Sequence, residues 1–85
     1  MDECIPYKIE VYTIDGCSYC EKVKKYFNDR NIPFTEIKIR DPETLEKVEK
    51  LVGEPVVPVI VIDDEIIIRG FDKSKLPTNP CKNKE

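Results

Sequence analysis

Eighty-five residues suffice for one compact domain and not for two, so any site has to be built from a single core and its loops. Fourteen basic against seventeen acidic residues leave a net charge of −3, with lysines and glutamates interleaved rather than gathered into the basic stripe that nucleic acid requires; no apolar run approaches the roughly 18 residues of a membrane span. Histidine is absent, which removes every mechanism that uses imidazole as base, acid or metal ligand and excludes Ser-His and Cys-His hydrolases.

Lys8 to Thr13 alternates and is rich in β-branched and aromatic residues, which predicts a strand broken by Asp15-Gly16. From Ser18 to Asn31, Cys20, Val23, Tyr26 or Phe27, and Arg30 recur at helical spacing, and Asn31-Ile32-Pro33 stops that helix. Phe34 to Ile39 alternates again as a second strand, completing a βαβ unit whose strands a right-handed crossover makes parallel. Asp41-Pro42-Glu43 supplies an N-cap, a proline at the first helical position and an acidic first turn; Leu45, Val48, Leu51 and Val52 form the apolar face of a second helix, ended by Gly53. Val56 to Ile62 is apolar on both faces, as a central covered strand should be, and Asp63-Asp64-Glu65 turns it into a hairpin with Ile66 to Arg69. Asp72 can cap a last short helix through Leu76, and residues 77–85 are expected to form an irregular tail. The order β-α-β-α-β-β-α describes one small α/β domain over residues 1–85, with a four-stranded mixed sheet flanked by three helices.

Cys17-Ser18-Tyr19-Cys20 falls where a strand has ended and a helix begins, so the second sulfur lies about one turn inside the first and the two can meet. Free backbone N–H groups and the helix dipole at that end favour a thiolate, which makes Cys17 the expected nucleophile and Cys20 the thiol that resolves the mixed disulfide. A Cys-x-x-Cys at the start of a βαβ unit is a redox signature. Against it stand a pair that merely packs, a plain structural disulfide, and half of a zinc or iron–sulfur set whose other half is missing, because Cys4 and Cys81 form no second Cys-x-x-Cys.

Three features in order, Cys17-Ser18-Tyr19-Cys20, Val57-Pro58 and Gly70-Phe71-Asp72, make the chain from Lys8 to Leu76 resemble the glutaredoxins and glutaredoxin-like redoxins of the thioredoxin superfamily. The resemblance implies a thioredoxin fold, dithiol chemistry at Cys17 and Cys20, and a cis bond before Pro58. It also implies a substrate site along Tyr19, Val57, Pro58, Gly70, Phe71 and Asp72, with the Val57 backbone pairing with an extended peptide or with glutathione. It implies no tightly bound cofactor and no metal, with glutathione as a conceivable co-substrate. Some members with serine at the Ser18 position bind a [2Fe–2S] cluster between subunits.

Departures from the family pattern bear on the partner. A lysine that glutaredoxins commonly use for a glutathione carboxylate falls at Ile14, and a glycine pair is here Arg69-Gly70, whereas Asp72 matches an aspartate that contacts glutathione. The Gly70-Phe71 version is more similar to redoxins that draw electrons from a thioredoxin-reductase-type enzyme and reduce protein disulfides such as that of ribonucleotide reductase. Tyr12 and Phe71 read chiefly as packing residues. Asp15 and Glu54 read as solvated turn residues; near Cys17 their charges would oppose the thiolate and repel an anionic substrate.

In such a topology Cys4 and Cys81 share the end of the sheet remote from the site. They are expected to form a structural disulfide tying the termini, worth on the order of 4 kcal/mol for so long a loop, against the alternative of two unpaired thiols on frayed ends. The leading reading is a monomeric cytoplasmic dithiol electron carrier that reduces protein disulfides, since Met1 to Pro6 lack a secretory pattern. The alternatives are a glutathione-dependent glutaredoxin and a non-catalytic iron–sulfur or metal-binding protein.

Overall fold

The computed structural model of the chain describes residues 5–82. Its elements are β1 (Ile5–Pro6), β2 (Ile9–Thr13), α1 (Ser18–Asp29), β3 (Thr35–Lys38), α2 (Pro42–Val52), β4 (Val59–Ile62), β5 (Ile66–Arg69), a 3₁₀ turn (Lys73–Lys75) and β6 (Cys81–Lys82). Four strands form a mixed sheet in the order β3-β2-β4-β5, with β2 and β3 parallel and the other two pairs antiparallel. This is the four-stranded mixed sheet expected from the βαβ unit and the hairpin, and the thioredoxin fold that the resemblance implies.

Each helix closes one face of the sheet. On one side Val23, Tyr26 and Phe27 of α1 pack with Ile9, Val11, Ile60, Ile62 and Ile68. On the other, Val48 of α2 packs with Tyr12, Val59 and Val61, and Leu51 and Val52 lean against them. All four residues of β4 are therefore buried, which explains why that strand carries no polar alternation. The α2 ends follow from local chemistry: the Asp41 carboxylate accepts from the Thr44 N–H at 2.9 Å, and Gly53 takes the left-handed conformation (φ 85°) that closes a helix. Asn31 does the same after α1 at φ 56°. Asp63 and Asp64, both at positive φ, make the tight β4–β5 turn.

Three expectations are corrected. The third helix is only the 3₁₀ turn Lys73–Lys75, because Asp72 starts it and Leu76, held extended (ψ 145°) before Pro77, ends it four residues later. Part of the tail expected to be irregular is ordered, since Cys81–Lys82 pairs antiparallel with Ile5–Pro6 as a separate two-stranded ribbon. The central strand also starts later than its apolar run, at Val59, beyond the proline that cannot donate to a ladder. The expected Cys4–Cys81 bridge involves Cys4, which lies outside the described residues; Cys81 stands opposite Pro6 in the ribbon.

A partly buried polar contact joins β2, β3 and α1. Thr13 Oγ1 donates to Glu36 Oε2 at 2.8 Å, and Lys24 Nζ reaches the same oxygen at 3.0 Å. The Thr13 hydroxyl, then Lys24, hold the Glu36 carboxyl below the usual glutamate range. A carboxylate depressed on folding stabilises the fold fully above its unfolded pKa and loses that contribution as pH falls through the lower folded value. Glu36→Gln should thus lower the denaturant midpoint at pH 7 and remove part of the loss of stability seen on acidification below about pH 4.5. Phe27→Ala, which empties a fully buried position, should cost about 3–5 kcal/mol in urea unfolding. Non-reduced protein treated with an alkylating agent should show Cys4 and Cys81 unmodified by mass spectrometry; two alkylated thiols there would rule out the bridge.

Candidate functional site

Beyond β2 the chain leaves the sheet through Ile14, Asp15 and Gly16 and enters α1 at Cys17, which is the N-cap residue. Cys17 Sγ accepts the Cys20 N–H at 3.1 Å, so the sulfur occupies the place that a serine or aspartate oxygen fills in an ordinary capped helix. One turn on, Cys20 projects into the interior and is fully buried, whereas Cys17 is only half-buried. The two sulfurs are bonded, with Cα atoms 5.2 Å apart. In the reduced pair the same N–H groups and helix dipole favour negative charge on Cys17, while Cys20 waits behind it out of reach of bulk solvent.

A groove of about 440 Å³ is formed by Tyr19, by Val57 and Pro58, and by the stretch Arg69 to Asp72 at the end of β5. Every residue expected at a substrate site thus lines one groove, with Arg69 in addition. The Val57–Pro58 bond is cis. Pro58 is buried and its carbonyl accepts the Gly70 N–H at 2.8 Å, which ties the two walls together. No hydrogen bond joins the Val57 backbone to another described residue, although the neighbouring Val56 N–H is used by the Glu54 carbonyl. Tyr19 is 57% exposed, with the Lys22 ammonium 4.9 Å from its ring centroid. Phe71 is half-buried and meets Tyr26 edge-on, so it serves both as packing and as groove wall. Tyr12 is buried in the core on the α2 face.

The charges around the groove are paired within the chain. The Asp72 carboxylate accepts from the Ser74 hydroxyl at 2.7 Å and the Ser74 N–H at 3.1 Å, and these bonds hold it below the usual aspartate range. Asp15 bonds Lys38 at 3.0 Å, which lowers its pKa likewise. Glu54 forms an ion pair with Arg69. Asp15 and Glu54, expected as solvated turn residues, are exposed, and each carries a basic partner. Ile14, where a substrate-binding lysine would fall, is 41% exposed. The Glu54–Arg69 and Asp15–Lys38 pairs had no signal in sequence, because their members are 15 and 23 residues apart. Among the described residues no three potential His, Cys, Asp or Glu metal ligands cluster, and no helix is long and apolar enough to cross a membrane.

A thioredoxin-type sheet with a capped Cys-x-x-Cys at the start of its first long helix defines a thiol–disulfide oxidoreductase. The chain belongs to the glutaredoxin family, whose profile matches residues 9–67. It is 39% identical over 69 residues to the glutaredoxin-like protein NrdH of Lactococcus lactis subsp. cremoris, covering 80% of this chain and 93% of that protein. It is 35% identical over 69 residues to a glutaredoxin-like 8.6 kDa protein of the rubredoxin operon of Clostridium pasteurianum, covering 80% and 91% of the two chains. Among solved structures, the glutaredoxin-like NrdH-redoxin of Escherichia coli superposes with a TM-score of 0.70 at 25% identity, covering 82% of this chain and 96% of that one. In the reduced protein, brief treatment with iodoacetamide should modify Cys17 at least about tenfold faster than Cys20, as peptide mass spectrometry will read, because only the first sulfur is both activated and accessible.

Proposed function

We propose that the protein is a dithiol electron carrier that reduces disulfides in other proteins. The observation that carries this reading is a half-exposed, helix-capping Cys17 two residues before Tyr19, which lines a groove whose Val57 backbone makes no hydrogen bond to another described residue. A main chain with spare hydrogen-bonding groups beside a nucleophile suits an extended peptide, which pairs with it as an added strand and presents its own disulfide to Cys17.

The Cys17 thiolate attacks one sulfur of the substrate disulfide, forming a mixed disulfide and expelling the other substrate sulfur, which takes up a proton. Cys20 gives up its proton and attacks the Cys17 sulfur, which forms the intramolecular bridge and releases the second substrate thiol. Two electrons and two protons pass to the substrate, and a reductant must return them. A thioredoxin-reductase-type enzyme fits that need, supported by similarity to proteins called NrdH, by the engagement of Asp72 with Ser74, and by the exposed Ile14 before Cys17, where glutaredoxins commonly carry a lysine. Clients of the ribonucleotide-reductase type follow from the same likeness, and a cytoplasmic monomer is the form we infer. The second reading, a glutathione-dependent glutaredoxin, draws on the family profile and on the position of Asp72 in the groove.

Turnover of a protein disulfide should be supported by NADPH with thioredoxin reductase at least about tenfold better than by glutathione with its reductase. The reverse ranking would favour the second reading. Cys17→Ser should abolish turnover, and Cys20→Ser should accumulate a mixed disulfide visible by intact mass. Full activity in Cys17→Ser would end the proposal.

A further inference from the structure

Arg69 is the cation among the residues that line the groove, and its guanidinium is directed to the Glu54 carboxylate, which belongs to the loop before Val57. Both side chains are about half exposed, at 56% and 51%, so the pair is solvated and exchangeable rather than a buried structural bridge. The other charged lining residue, Asp72, accepts twice from Ser74 through Oδ1 and has the Lys75 ammonium 4.0 Å from Oδ2. What the groove leaves open is therefore main chain and apolar surface, at Val57, Pro58, Tyr19 and Phe71.

We infer that Glu54 is a built-in competitor for Arg69, a specificity-determining pair that denies the groove's arginine to carboxylate-bearing small disulfides and keeps the site for uncharged or peptide-backbone ligands. A free Arg69 would offer a planar fork of donors matched to a carboxylate. Glu54 already accepts from Nη1 of that fork from within the chain, so an anionic substrate that takes both arms of the fork must displace it, and one that does not still meets the Glu54 carboxylate at close range. Neutral substrates meet neither penalty. The inference rests on the groove being the substrate site.

The test is a single-turnover reaction of the fully reduced protein with two small disulfides, neutral bis(2-hydroxyethyl) disulfide and dianionic 3,3′-dithiodipropionate. Oxidation of the Cys17–Cys20 pair is read by acid quench, alkylation and mass; each disulfide takes two electrons and two protons from the pair and leaves as two thiols. Glu54→Gln should raise the dianionic-to-neutral rate ratio about fivefold, equivalent to about 1 kcal/mol at 1.4 kcal/mol per tenfold. In an Arg69→Gln background the same change should raise it less than about twofold, because the recipient fork is gone.

An unchanged ratio in Glu54→Gln would overturn the inference, as would an equal rise in both backgrounds, which would mean long-range repulsion without Arg69. Either result, with the neutral disulfide still oxidising the pair, leaves the dithiol reading standing. Failure of the reduced wild-type protein to react with either disulfide would overturn both.

Discussion

The bond from the Cys20 N–H to Cys17 Sγ is the interaction on which the rest of the site depends, because it makes one sulfur both the cap of a helix and the group that reacts. A helix start has donors to satisfy and a positive end of its dipole to face, and a thiolate meets both needs. The same geometry places the second cysteine one turn further in, where the core around Val23 and Phe27 covers it. Accessibility and protection of the two sulfurs thus arise from helical periodicity rather than from any dedicated loop.

That helix can only present its end correctly if the strand before it is fixed. β2 is held on both edges, parallel to β3 and antiparallel to β4, and the two cores on opposite faces lock it between α1 and α2. Glu36 adds a polar clamp, joining the end of β2 through Thr13 to α1 through Lys24, just before the turn into Cys17. β4 serves the site from the other side: its start after Pro58 and its pairing with β5 bring Val57 and Gly70 to one groove.

The electrostatics of the groove are largely internal. Asp15 with Lys38, Glu54 with Arg69, and Asp72 with Lys75 each set opposite charges together within the chain. Groups paired in this way contribute little net field at the sulfur, so the helix terminus remains the chief local influence on Cys17. The surface this leaves is better suited to main-chain and apolar recognition than to charge recognition, which agrees with the departures at Ile14 and Arg69.

Local signals determined much by themselves. Alternation marked β2 and β3, the doubly apolar run marked the buried β4, and Asp41-Pro42 with Gly53 bounded α2, because each depends on neighbours a few residues away. The dithiol chemistry was equally legible, since Cys17 and Cys20 lie within a single helical turn. Sequence misjudged the segment after Asp72, where Pro77 cut the helix to a 3₁₀ turn, and the pairing of Cys81–Lys82 with Ile5–Pro6, because a two-residue strand has no periodicity to read. Only the tertiary structure decided which charges cancel. Glu54 and Arg69, Asp15 and Lys38, and Lys24 and Glu36 meet because segments distant in sequence become neighbours in the fold, and the local pattern of an 85-residue chain carries no record of that contact.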